Sequence, residues 1–207
     1  MRLLFKLVVG VLALVGAAGL FVAGWLFASG MSAQPEPSAL ETSVARRLRS
    51  WMLPSAAWNR PNPVPRSDEA VDAALRHFAD HCAVCHANDG SGDVEMGENL
   101  YPRAPDLRAA DTQHLSDGAL FYIIEEGVRL TGMPGWKTGT PDGEQESWRL
   151  VHFIRHLPDL TDEQRRRMDA MNPRTRDEWR RELEIERFLE GGEAEPESHS
   201  SHEGGHE

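Results

Sequence analysis

Apolar and polar positions divide the chain into segments of different character. Leu7 to Met31 carries no charged side chain and follows the basic residues Arg2 and Lys6. At about 1.5 Å rise per residue, a helix of this length crosses the ~30 Å hydrocarbon core of a bilayer. Gly10, Gly16, Gly19 and Gly24 are tolerable in such a helix. Residues 1–31 are therefore expected to form a transmembrane anchor. The alternative is a secretory signal, whose apolar stretch usually runs only about 7–15 residues; the small residues Ala28, Ser29 and Gly30 would suit its cleavage. In either case the leading basic residues stay cytoplasmic and the rest of the chain passes outward.

Residues 32–66 read as a connector in two parts. Leu40, Val44, Leu48, Trp51 and Met52 share one helical face, bordered by Arg46, Arg47 and Arg49. Such a helix lies on a membrane surface, on a partner, or on its own domain. Pro54, Pro61, Pro63 and Pro65 then predict an extended, stiff spacer holding the core domain away from the bilayer.

That core domain is expected over 67–160. Ser67 and the acids after it suit a helix start, and Val71, Ala74, Leu75 and Phe78 form its apolar stripe. A Gly- and Asp-rich loop, Asn88 to Gly97, leads into a nonhelical run to about Thr112. Ser116 to Gly127 predicts a second helix with Ala119, Leu120, Ile123 and Ile124 inward. Glu146 to Leu157 predicts a third, with Trp148, Val151, Ile154 and Leu157 near one face and Pro158 as its stop. No strand pattern and no internal repeat is evident, so the fold class is all-α. A charged helical extension is expected over 161–190, with Trp179, Leu183 and Phe188 as docking positions. Residues 191–207 have a disordered composition rich in Gly, Glu, Ser and His.

Charge changes the choice of partners. The formal net charge is −11, and the 67–160 segment alone holds 17 acidic against 7 basic residues. An acidic domain argues against nucleic acid, which needs a basic face. It favours basic protein surfaces, with association that salt weakens.

The candidate chemistry sits at the end of the first domain helix, in Cys82-Ala83-Val84-Cys85-His86, which contains both cysteines of the 207-residue chain. Cys-x-x-Cys-His is the spacing of covalent haem attachment: each thiol can bond one vinyl group, and the adjoining imidazole can bind iron. A thioredoxin-like pair would want a βαβ setting, which is not seen. A structural zinc site would need two more ligands at metal-binding spacing. A disulfide would close a very small, strained loop.

The landmarks then continue as Ala104-Pro105-Asp106-Leu107, Gly132-Met133-Pro134 and Val151-His152-Phe153-Ile154-Arg155. With Ala74, Phe78 and the pentapeptide, this order over roughly 68–158 resembles the class I c-type cytochromes, although glycine often stands where Ala74 does. The resemblance implies a small cytochrome c fold of three to five helices around one covalent haem c, attached through Cys82 and Cys85. It implies His86 as one iron ligand and Met133 as the other, Pro105 as the carbonyl acceptor for the His86 ring, and Leu107 and Leu120 packed on the porphyrin. Phe78 and Phe153 would belong to the helix crossing. Met96 lies too close to His86 in sequence to serve, and Met168 and Met171 lie beyond the last domain helix. His114 is a weak alternative ligand. His77, His81, His152 and His156 read as structural or surface residues. Trp136 and Tyr101 are candidates for the haem edge or propionates, and Arg103 for a propionate.

The expected function is a membrane-tethered one-electron carrier rather than an enzyme. It would work with redox proteins or within a respiratory complex, on the periplasmic side of a bacterial cytoplasmic membrane. An open-site haem enzyme or sensor is the more distant alternative. His199, His202 and His206 would bind a divalent transition metal only weakly.

Overall fold

The computed structural model describes residues 1–30, 35–174 and 176–189, and among them only helices, turns and irregular segments occur. The first helix, α1 (Arg2–Ser29), has an apolar stretch from Arg2 to Trp25 with mean hydropathy 2.5 and no part buried. Its 24 residues span about 36 Å, enough to cross a membrane, and it fits an anchor.

Next come α2 (Ala39–Met52) and the single turn α3 (Ser55–Trp58). A reciprocal cap opens α2: Glu41 N–H donates to Ser38 Oγ at 3.2 Å, and Ser38 N–H donates to Glu41 Oε2 at 2.7 Å. The Pro-rich segment after it does not stand free as the expected spacer. Leu53 and Ala57 are buried, and the guanidinium of Arg60 lies 4.6 Å from the Phe121 ring centroid and 5.1 Å from that of Trp148. Arg60 also pairs with Glu144. Asn62 Nδ2 donates to the Trp148 carbonyl at 3.0 Å, and His152 Nε2 meets the Val64 carbonyl at 2.7 Å. Prolines stiffen this segment, but its polar side chains lay it along the helices.

The centre of the molecule is the crossing of α4 (Asp68–His77) with a long later helix, α9, spanning Pro141–His156. Ser67 caps α4 by accepting from Ala70 N–H at 3.1 Å. The expected stripe of Val71, Ala74, Leu75 and Phe78 is buried, and Phe78 meets Phe153 with ring centroids 4.9 Å apart. Each such aromatic side chain is worth about 1.5–3 kcal/mol on burial. Alanine at position 74, 2 % exposed, sits in this contact. A π-helical turn, Phe78–Cys82, extends α4 into α5 (Ala83–His86). Three more elements, α6 (Glu95–Glu98), α7 (Ala110–Gln113) and α8 (Asp117–Glu126), precede α9.

Two details depart from the sequence reading. In α8, Phe121 is fully inward and Ile123 only half-buried. Helix α9 starts five residues before Glu146, because Thr140 accepts from Gly143 N–H at 3.2 Å and Pro141 takes the first helical position. Beyond it, α10 (Asp162–Asp169) packs on α4, with Met168 fully buried and Arg167 3.1 Å from Asp72. Helix α11 (Arg176–Leu189) leaves Trp179, Leu183 and Phe188 exposed. The His-bearing tail lies outside the described residues.

Candidate functional site

The π-helical turn brings Cys82 to its last position, and α5 then carries Cys85 and His86. Burial, with a smaller effect of Cys85, pushes the Cys82 thiol up to about 12; burial also raises Cys85. Both are therefore protonated at neutral pH while no metal is bound, and a zinc site would need two further ligands beside them. Among the described residues no group of three or more His, Cys, Asp or Glu is placed to hold a metal ion. Among the described residues the pair therefore lacks the partners of a structural zinc site.

His86 is held mainly by backbone. Ala87 N–H closes α5 by donating to the Ala83 carbonyl at 2.9 Å, and Gly92 N–H donates to the His86 carbonyl at 2.9 Å. Ala87 takes φ 59°, a left-handed conformation that costs a non-glycine residue about 1–3 kcal/mol. The following loop wraps back tightly. A Cβ on Gly97 would strike the Cys85 carbonyl, and one on Gly92 would lie 2.5 Å from the Ala104 carbonyl. Leu107 N–H donates to Gly90 at 2.7 Å, and Ala104 N–H to Gly97 at 3.0 Å.

Burial, the larger effect, lowers the His86 pKa, while the Pro105 carbonyl beside the ring opposes it. Nδ1 is buried and makes no well-formed hydrogen bond. A neutral imidazole is the state a metal ligand requires, and Nδ1 faces the carbonyl that could accept its proton. The Pro105–Leu107 turn is braced by Arg108, which reaches Asp106 at 2.9 Å and Asp89 at 2.6 Å. Pro105 is exposed and Leu107 buried. The thiol pair, the orphaned Nδ1 and the adjacent carbonyl fit a covalently attached haem.

Met133 occupies a turn seated on the end of α8. Gly127 leaves the helix at φ 69°; a Cβ there would lie 2.6 Å from Gly135 N and 2.7 Å from the Met133 carbonyl. Met133 N–H donates to Thr131 Oγ1 at 3.1 Å, and its carbonyl accepts from Val128 N–H at 3.1 Å. Thr131 Oγ1 in turn donates to the Val128 carbonyl at 2.7 Å. Trp136 and Lys137 N–H donate to Ile124 and Glu125 at 3.0 and 3.1 Å. Gly132 sits on Leu100, at 2.6 Å from where its Cβ would be. The methionine itself is half-buried. Thr131, Gly127 and Leu100 escaped the sequence reading; Gly127 carried a signal, as a glycine ending an apolar helix.

Other candidates are engaged elsewhere. Tyr101 OH donates to Glu41 at 3.1 Å and Arg103 pairs with Glu36 at 3.3 Å, so both face the α2 region. Trp136 approaches the His81 ring at 5.5 Å between centroids, and His81 in turn meets His77 at 5.0 Å. His156 contacts Gln164 at 3.0 Å. His114 follows the last residue of α7.

Residues 69–154 match a family model described as "Cytochrome C oxidase, cbb3-type, subunit III".

Proposed function

We propose that residues 69–154, which match that family model, form a c-type cytochrome domain with covalently bound haem c, and that the chain is a membrane-tethered one-electron carrier in which His86 and Met133 would ligate the iron. The haem, when bound, supplies a one-electron Fe(III)/Fe(II) couple. Cys82 and Cys85 would anchor it, His86 would offer a neutral imidazole, and the Pro105 carbonyl beside that ring would accept its Nδ1–H. Met133 would supply a thioether sulfur as the second ligand; sulfur there would raise the potential and leave no position for oxygen chemistry. The observation that carries this reading is the Gly127–Gly135 turn, which fixes both the N–H and the carbonyl of Met133. The haem domain would work in the periplasm, in a respiratory electron-transfer chain.

A redox titration tests the ligand set. Met133→Ala should lower the midpoint potential by on the order of 100 mV, a fraction of the ~0.8 V range that axial ligands command. The variant should also bind carbon monoxide when reduced, which the wild type should not do at neutral pH. An unchanged potential would refute the methionine.

A second reading, a fixed subunit of a respiratory complex, is favoured by the description of the matched family as an oxidase subunit. Native sizing after mild detergent extraction separates the two. A free carrier runs alone, whereas a subunit co-migrates with larger partners.

A further inference from the structure

Helix α2 is turned the wrong way round for a helix of a soluble domain. Such helices bury their apolar stripe, yet Leu40 is 73 % exposed, Val44 47 %, Leu48 47 % and Trp51 79 %. The polar face does the packing instead. Glu41 accepts from Tyr101 OH, Arg46 pairs with Asp111 at 2.6 Å, and Arg49 is half-buried. Just before the helix, Glu36 pairs with Arg103. At its end Leu53, 7 % exposed, turns the chain into the core. Helix α2 is thus fixed to the haem domain with its apolar stripe facing away.

We propose that α2 lies in the lipid–water interface, its Leu40, Val44, Leu48 and Trp51 stripe inserted below the headgroups, and so seats the haem domain on the bilayer. The proposal rests on α1 being a retained membrane anchor. Two observations choose lipid over a protein partner. Only residues 30–38 separate α1 from α2, a tether of at most about 30 Å. The tether keeps the stripe at high effective concentration beside the membrane. The stripe is rimmed by exposed Arg47, suited to anionic headgroups. Because α2 also holds the Tyr101–Arg103 loop, lipid binding fixes which face of the domain meets other membrane components.

The test uses the full-length, haem-loaded protein, in which Cys82 and Cys85 are consumed as thioethers and an introduced cysteine is the one reactive thiol. Spin labels are placed at Val44→Cys and, on the other side of the helix, at Ser50→Cys, in phosphatidylethanolamine–phosphatidylglycerol vesicles. The expected result is a several-fold higher ratio of oxygen to nickel-chelate accessibility at 44 than at 50. Adding Leu48→Asp and Trp51→Asp should bring position 44 down to the level of position 50, with the haem spectrum and vesicle flotation retained. Equal accessibility at 44 and 50 in floating protein overturns the proposal and leaves the anchor standing. Shielding of 44 from both reagents also overturns it, in favour of a protein contact. Failure of the full chain to float overturns the anchor, and the proposal with it.

Discussion

The two sides of the candidate haem site are built differently. On the His86 side, the loop from Ala87 to Leu107 ties itself back to α5 through Gly92 and closes on itself through Ala104–Gly97 and the longer-range Leu107–Gly90 bond. There Leu107 is buried, the half-buried His86 has its Nδ1 shut off from solvent, and Ala87 is held in a strained conformation. The Met133 side is one turn on the end of one helix, with Leu130 92 % exposed at its tip. Its order comes from Thr131, Gly127 and the two N–H donors after Gly135. A site so divided confines disturbance: damage to the turn should reach the iron's electronic state while leaving the attachment side intact.

The largest expected effect is at Gly127. Replacement by Ala puts a Cβ against Gly135 and Met133 at a φ of 69°, costing about 1–3 kcal/mol at that position. Gly127→Ala should retain haem through a denaturing gel yet show a lower midpoint potential and some carbon monoxide binding. A variant with the wild-type potential would mean that the turn does not position the ligand.

A smaller effect is expected on the other side, where acid probes the brace of the Pro105 turn. The Arg108 hydrogen bond is the main cause holding Asp106 below its ordinary 3.8. The unfolded chain therefore takes up that proton at a higher pH than the folded one. The stabilisation is complete above about pH 4 and is lost as pH falls through the lower folded value. Both side chains are about a third exposed or more, so the pair is worth less than about 1 kcal/mol. Denaturation midpoints measured against pH should show Arg108→Ala slightly less stable at neutrality, with a shallower acid loss. Identical curves would remove the brace from the account.

Much of this arrangement was legible in the sequence, where chemistry and local pattern coincide. The Cys82–His86 spacing, the stripe through Phe78 and the caps at Ser67 and Ser116 each arise from a few adjacent residues. Thr140–Pro141 was equally local and marked the true start of α9. What escaped depended on partners distant in the chain. Prolines 61, 63 and 65 look like a spacer until Arg60 finds Phe121, Trp148 and Glu144, and Val64 finds His152. Amphipathicity showed that α2 has two faces. It did not show that Asp111 and Tyr101 would take the polar one.

The most direct test of the central claim, sulfur from Met133 on the iron of a His86-bound haem, is the proton NMR spectrum of the reduced protein. A methionine methyl lying over the porphyrin is displaced far upfield by the ring current. The account predicts one such three-proton resonance, absent in Met133→Ala and present in Met96→Ala. Its persistence in Met133→Ala would contradict the account.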